Sequence, residues 1–448
     1  MLFLLVFPRI YLLGSLLVII SVTCLGSSFV ILNSFLPLLV SNHPSISGPG
    51  IQQTEHTGEI SPIALRSLSR REDESYSIDD YEHRPIRVSL SGVKLSSQEL
   101  TLSTRISAKG VGIGYCAAVF VQLLSILLLF TLSKVSIVSS SASLPLRIVL
   151  FLVGLWWVSF TFLSYLWLRN RPGPTMGTNT SAHSSRWHYS LEHMVFAWVS
   201  LWKAIRLAVK LRQATIFLVA WFLLSDAIAT MSGTAILFAK TELHMAPTAI
   251  AVVSIIATTS GIAGAFTWPA ISKRLGLRPN QTILVCIAMF EFIPIYGLLY
   301  YIPFIRAWGF GGLQQAWEIY PLAFVHGFVM GGLSSYCRSF FGLLIPPGNE
   351  AAFYALYAIT DKGSSVIGPA IVGLIVDKTG QIRPAFGFLA VIVLLPAPLI
   401  WLVDADRGRA DGILIAESIG KFKTSDFEGP IIAHERLEEA EGLLADSD

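Results

Sequence analysis

The sequence predicts an all-α polytopic membrane protein, a bundle of about nine transmembrane helices preceded by a short helical stub. Three observations carry this expectation. Of the 448 residues, 53% are hydrophobic and only 14% are charged, whereas a soluble domain carries about 25% charged residues. The mean hydropathy is +0.63. The apolar residues are gathered into blocks of about 20, the length that crosses a hydrocarbon core of ~30 Å. A soluble enzyme, a nucleic-acid binder and a secreted disulfide scaffold are thereby excluded. Helix is the state these blocks must take, because irregular backbone in lipid leaves its polar groups unpaired.

The chain opens with MLFLLVF, residues 1–7, followed by Pro8 and Arg9. No basic stretch precedes the apolar run and the hydrophobicity continues to Val40, unlike a secretory leader. The segment is too short to span and reads as the tail of a helix whose beginning is absent. Nine spans are then expected, at residues 11–36, 110–132, 146–168, 216–239, 248–271, 282–302, 320–344, 353–376 and 385–403.

Two long polar connections interrupt them. Residues 41–107 are rich in Ser, Pro and charge, with SRREDESYSIDDYEH at 69–83. They hold too few large apolar residues for a core, so disorder is expected, with cytosolic regulators as potential partners. Residues 169–213 begin as loop and continue as HMVFAWVSLWKAIRLAVKLRQ from His193. There Phe196, Trp198, Leu201, Trp202, Ile205 and Val209 form an apolar band beside Lys203, Arg206, Lys210 and Arg212. That pattern suits a helix lying on the bilayer surface; a calmodulin target is the alternative reading.

Lys and Arg collect in both long connections, in the turn holding Lys273, Arg274 and Arg278, and in the tail. The intervening connections carry one or two each: Lys134, Lys240, Arg306, then Lys378 and Arg383. Positive charge favours the cytosol, which places both long connections and the C-terminus there. The N-x-S/T matches at Asn179 and Asn280 then face the cytosol and should stay unmodified. Three spans precede the 169–213 connection and six follow it, the grouping expected of a transporter built from paired six-helix repeats with three spans unaccounted for. The expected organisation is a partial first half (1–168), a cytosolic linker (169–213), a six-helix second half (214–403) and a cytosolic acidic tail (404–448).

Ionisable groups inside spans cost roughly 2.5–3.5 kcal/mol each at a helix centre on insertion scales, so each is a functional candidate. Asp226, Glu291, His326 and the adjacent Asp361 and Lys362 all fall within apolar blocks. Glu350, Tyr354, Tyr357, Asp361, Ser364 or Ser365, and Gly368 recur at steps of three or four. This polar helix face must turn inward, towards other helices or a wet cavity. Its carboxylate, ammonium and hydroxyl groups can complement an amino-acid zwitterion; equally, the stripe can lock helices together or form a gate. Asp361 and Lys362, adjacent and of opposite charge, can partly neutralise each other or bind Asp226; Asp226 is either a substrate or ion contact or the structural partner of Lys362. Glu291 and His326 are candidates for proton coupling, set against an ordinary hydrogen-bonded core role.

The glycine pairs Gly110–Gly114 and Gly327–Gly331 have the spacing of close helix packing. The four cysteines lie in separate apolar blocks without disulfide or metal-site spacing, so neither a metal nor another cofactor is expected. No Walker motif, H-E-x-x-H or G-x-S-x-G occurs, and no catalytic role is assigned. SKRLGLRP at 272–279 looks like a degenerate form of the basic loop of the major facilitator superfamily.

The stretches GSSFVILNSFLPLLVSNHP (26–44), LSTRISAKGVGIGY (102–115), AWFLLSDAIATMSGTAILFAKTELHM (220–245) and FFGLLIPPGNEAAFYALYAITDKGSSVIGP (340–369) resemble the fungal autophagy-related vacuolar amino-acid effluxers, a branch of that superfamily. The resemblance extends over nearly the whole chain. It implies a major-facilitator-type bundle in the vacuole membrane that returns amino acids, leucine and other neutral ones among them, to the cytosol after autophagic protein breakdown. It also implies three spans before residue 11, with this chain beginning inside the third. The site candidates come from the polar-residue argument, not from the resemblance: Asp226, Tyr354, Tyr357, Asp361, Lys362 and Ser365 for substrate binding or gating, Glu291 and His326 for proton coupling. A carrier of another small solute and a non-transporting membrane scaffold are the rival readings.

Overall fold

The computed structural model describes residues 11–44, 90–133, 144–167, 186–416 and 418. The 1–7 stub, most of the 41–107 connection and the start of the 169–213 connection lie outside the described residues. Among those described, the regular elements are helices. The first part comprises α1 (Tyr11–Ser41), α2 (Leu90–Ser133) and α3 (Leu144–Trp167). Then come α4 (Arg186–Lys210), α5 (Arg212–Thr241), α6 (Pro247–Arg274) and α7 (Pro279–Leu298). After the short α8 (Pro303–Trp308) follow α9 (Ile319–Leu343), α10 (Glu350–Ser364), α11 (Ile367–Thr379), α12 (Ala385–Leu394) and α13 (Pro396–Leu402).

Among the described residues, 8 helices are able, by length and composition, to cross a membrane. They match eight of the nine expected spans. The ninth, α9, is 25 residues long and carries His326, Arg338 and a run of serines instead of a fully apolar surface. The physical reason is its position. Packed against α6, α2 and α7, it presents little of itself to lipid and does not need an apolar coat.

Three expected boundaries are corrected. Helix α2 begins at Leu90, so residues 90–107, expected in the disordered connection, are helical. Leu100, Ser103, Thr104, Ser107 and Ala108 are buried there, and this packing extends the helix beyond its apolar span. The expected single span at 353–376 is two half-helices, because α10 stops at Ser364 and α11 starts at Ile367. Pro369 explains the break: it has no N–H to donate and its ring displaces the carbonyl one turn earlier. Pro396 separates α12 from α13 in the same way within the expected span 385–403.

Packing is tightest where α6 and α9 cross. A methyl group on Gly327 would run into the main-chain oxygen of Ala257, and one on Gly331 into that of Gly261. Gly264 faces the Phe328 carbonyl equally closely. Small residues let two backbones approach to this distance, and dispersion then holds them where no hydrophobic driving force acts. The Gly327–Gly331 pair therefore packs as its spacing predicts. In the other pair it is the central residue that packs: Gly112 receives the Phe266 ring, while Gly110 and Gly114 meet nothing within 4 Å. Helix α2 is tied to α9 by Thr104 Oγ1 and Ser339 Oγ at 3.0 Å and to α6 by Gln122, whose amide donates to Ser254 Oγ at 2.9 Å.

The amphipathic stretch is helical and runs into α5 through buried Leu211. Its expected single apolar band is divided. Ala204, Ala208, Leu201 and Ile205 pack against the core, while Phe196, Trp198, Trp202 and Val209 are exposed. Exposed aromatics on one side and buried small residues on the other suit a helix held between protein and membrane interface. Helices α1 and α3 likewise present exposed apolar faces, and α3 meets α2 through Phe120 and Trp156, 5.4 Å apart.

Gly331→Val is expected to force α6 and α9 apart at a cost of about 1–3 kcal/mol. Thermal unfolding of the detergent-solubilised protein should show a lowered midpoint. Gly110→Val, made where space is open, should leave it unchanged.

Candidate functional site

The buried face of α5 carries Trp221, Ser225, Asp226 and Thr230, residues that recur at helical spacing. Against it lies the inward face of α10, with Tyr354, Tyr357 and Ser364 buried, followed by buried Gly368 in α11. The polar stripe expected over residues 350–368 thus does turn inward.

Asp226 is 3% exposed. Its Oδ1 accepts the Gly368 main-chain N–H at 3.0 Å. Gly368 is the second residue of α11, so the carboxylate faces the positive end of a half-helix. Glycine is required there, because a Cβ would collide with Thr230 Oγ1. Thr230 in turn donates its hydroxyl to the Asp226 main-chain carbonyl at 2.7 Å. Asp361 is held by the same helix: Ser225 donates to its Oδ1 at 2.6 Å. Its Oδ2 pairs with Lys362 Nζ at 2.9 Å. The lysine side chain is 68% exposed and the aspartate 21%. The pairing of Lys362 with Asp226, one of two expected arrangements, does not occur; the backbone N–H of Gly368 takes that position. Ser365 donates to the Lys362 carbonyl at 3.0 Å, at the helix break itself.

One to two turns towards the start of α10 lies an aromatic cluster. Tyr357 stacks on Trp221 with centroids 4.6 Å apart and on Phe341 at 5.2 Å. Tyr354 meets Phe341 edge-on at 5.7 Å and donates its hydroxyl to the Arg338 carbonyl at 3.3 Å. The Arg338 guanidinium sits over the Phe29 ring of α1 at 5.4 Å. A charged, hydrogen-bonded break and an aromatic wall therefore share the junction of α5, α9 and α10.

Glu291 and His326 are placed elsewhere. His326 Nε2 lies 3.1 Å from Ser232 Oγ. Both line a cavity of about 230 Å³ with apolar walls that include Ile250, Val253, Leu322 and Phe386. Glu291 is on α7, and its Oε2 is buried without a hydrogen-bond partner. Neither bonds to the Asp226 junction. The polar-residue argument missed Trp221, Ser225 and Arg338. For Arg338 a signal existed, a cation inside the expected span 320–344. For Trp221 and Ser225 there was none, since one looks like core and the other like any small hydroxyl in a helix.

A polytopic helical bundle with a broken helix and a buried carboxylate bonded to the break has the architecture in which membrane transporters place their sites. Comparison with known proteins places it further. The family described as "Vacuole effluxer Atg22 like" matches residues 1–413. Autophagy-related protein 22-2 of Aspergillus niger is 58% identical over 450 residues, which cover 99% of this chain and 73% of the relative. Its counterpart in Neosartorya fischeri is 58% identical over 454 residues, with the same coverage. Autophagy-related protein 22 of Botryotinia fuckeliana is 55% identical over 456 residues, covering 100% of this chain and 74% of that one. The chain belongs to the Atg22-like family of vacuole effluxers. It is accordingly an autophagy-related, multi-pass transporter of the vacuole membrane.

Asp226→Ala removes the acceptor at the start of α11 and should cost about 1–2 kcal/mol, as loss of an N-terminal cap does. Asp226→Asn keeps an acceptor oxygen and should cost less. Thermal unfolding of the two variants side by side measures the difference.

Proposed function

We propose that this chain exports neutral amino acids, leucine among them, from the vacuole lumen to the cytosol after autophagic protein breakdown. The observation that carries the reading is the pair of carboxylates, Asp226 and Asp361, held beside Lys362 and an aromatic wall at a helix break, in a chain of the vacuole effluxer family. Transporters bind their substrates where membrane helices are discontinuous, because freed backbone groups and half-helix ends are available there.

In this reading the substrate ammonium exchanges with the groups now satisfying Asp361. Lys362, on leaving Asp361, offers its charge to the substrate carboxylate, and the Ser365 hydroxyl lies next to it. Tyr354, Tyr357 and Trp221 receive an apolar side chain or close behind it. Glu291 and His326, away from the junction, are assigned to proton coupling. The halves that rock against each other are 1–168, in part, and 214–403, joined by the cytosolic linker 169–213. The basic-residue pattern supports a cytosolic tail at 404–448 and leaves the 41–107 connection available to cytosolic regulators.

Labelled leucine efflux from isolated vacuoles that lack their own effluxer and carry this chain tests the reading. Efflux faster than from empty-vector vacuoles is expected. No efflux with the protein present in the membrane would overturn it and favour the scaffold. Competition by a solute panel separates amino acids from other cargo. Asp361→Asn should reduce the rate about tenfold or more, the equivalent of one charge-assisted hydrogen bond. On intact vacuoles, added protease should remove an epitope placed at the C-terminus; its protection would reverse the orientation.

A further inference from the structure

Three buried polar atoms without hydrogen-bond partners belong to helices that meet at one place: Arg338 Nε on α9, Asn33 Nδ2 on α1 and Ser107 Oγ on α2. Arg338 lies little more than a turn from the C-terminal end of α9. Its guanidinium sits over Phe29, which is one turn from Asn33 on the same face of α1. Its sequence neighbour Ser339 meets Thr104, one turn from Ser107 along α2. The pairs α1–α9, α1–α2 and α2–α9 are all in contact.

Among the described residues, the ion pairs are Asp361–Lys362 and Arg407–Asp404, so no described carboxylate reaches Arg338. Each unmet atom is a hydrogen-bond donor or a hydroxyl able to donate. A guanidinium nitrogen left without a partner inside a membrane protein is costly, and an intramembrane arginine of this kind is a functional candidate by default. The group that satisfies such a set has acceptors only, carries negative charge and is planar: a carboxylate.

We propose that Arg338, with Asn33 and Ser107, forms a carboxylate subsite on the cytosolic side of the path, receiving the anionic end of the amino acid after it leaves the Asp226–Asp361 junction. The subsite rests on the amino-acid reading above. It lies between the partial first half, through α1 and α2, and the second half, through α9. The halves must part there to release cargo towards the C-terminal end of α9, the cytosolic side in the proposed orientation. The aromatic wall of Tyr354 and Tyr357 stands between the junction and this subsite. A zwitterion would thus exchange one cation, Lys362, for another, Arg338, in the direction of export. The Phe29 ring holds the guanidinium while the subsite is empty.

The experiment measures efflux of labelled leucine and of labelled leucinamide, which lacks the carboxylate, from vacuoles carrying wild-type chain, R338Q or R338K. Rates are normalised to the protein in the vacuole membrane. The wild type should prefer leucine. R338Q should lower leucine flux by about tenfold or more, with the preference for leucine over leucinamide largely lost. R338K, which keeps the charge but lacks the planar fork, should fall between. An unchanged rate and preference in R338Q would overturn the assignment. If R338Q does not reach the membrane, the preference of R338K decides, and a wild-type value there overturns it.

A further readout needs no variant. With wild type, 4-methylpentanoate should compete with leucine better than isopentylamine, and the reverse order overturns the subsite. A wild-type chain that moves no amino acid overturns the reading beneath it. One that moves leucine while R338Q does so equally well overturns the arginine assignment alone.

Discussion

Asp226 against the start of α11 is the interaction on which the docking of α5 against α10 and α11 depends. Helix α10 stops at Ser364 and α11 starts at Ile367, with Pro369 unable to donate back across the gap, and a broken helix in hydrocarbon exposes main-chain N–H groups that lipid cannot satisfy. The carboxylate supplies an acceptor and a charge of the right sign for a helix N-terminus, and Gly368 is small enough to let it approach. A carboxylate within a membrane is itself expensive, and the half-helix is what makes this one tolerable. Each defect is the remedy for the other. Because α5 provides the acid and α10–α11 the break, the two elements are fixed face to face, and the Ser225–Asp361 contact follows from the same docking.

A second constraint keeps the rest of the bundle rigid while that junction works. The glycine seam between α6 and α9 brings backbone against backbone, so neither helix can slide without a clash. Helix α9 then presents His326 towards Ser232 of α5 on one side and Arg338 and Ser339 towards α1 and α2 on another, which lets one element serve a cavity, a seam and a contact with the first helices. Its polar side chains have the same origin. A helix surrounded by protein is free to carry serines and an arginine that a lipid-facing helix could not.

Much of this was legible beforehand. Block length and charge pattern predicted the membrane class, the number of spans to within one, and the inward turn of the 350–368 stripe. The membership of the family was also readable from four long stretches. What was misread shares a cause. The helical stretch 90–107 looks like polar linker because its buried serines and threonines are satisfied or enclosed by another helix distant in sequence. Of the two arrangements open to Lys362, the pair with adjacent Asp361 forms; Asp226 instead accepts a backbone N–H, a donor that carries no sequence label. Arg338 stood in plain view inside a span and drew no weight, since it is near a helix end where such side chains commonly snorkel to water.

The amino-acid sequence by itself determined what this protein is made of: apolar segments long enough to span and an inward polar face at three- and four-residue steps. Those are local properties, set by composition and spacing. Only the tertiary structure decided which partner each buried polar group received, that Gly112 packs while Gly110 does not, and that buried donors on α1, α2 and α9, three helices in mutual contact, are left without an acceptor. Partner choice depends on distances between residues far apart in the chain, and periodicity within one helix holds no information about the helix across from it.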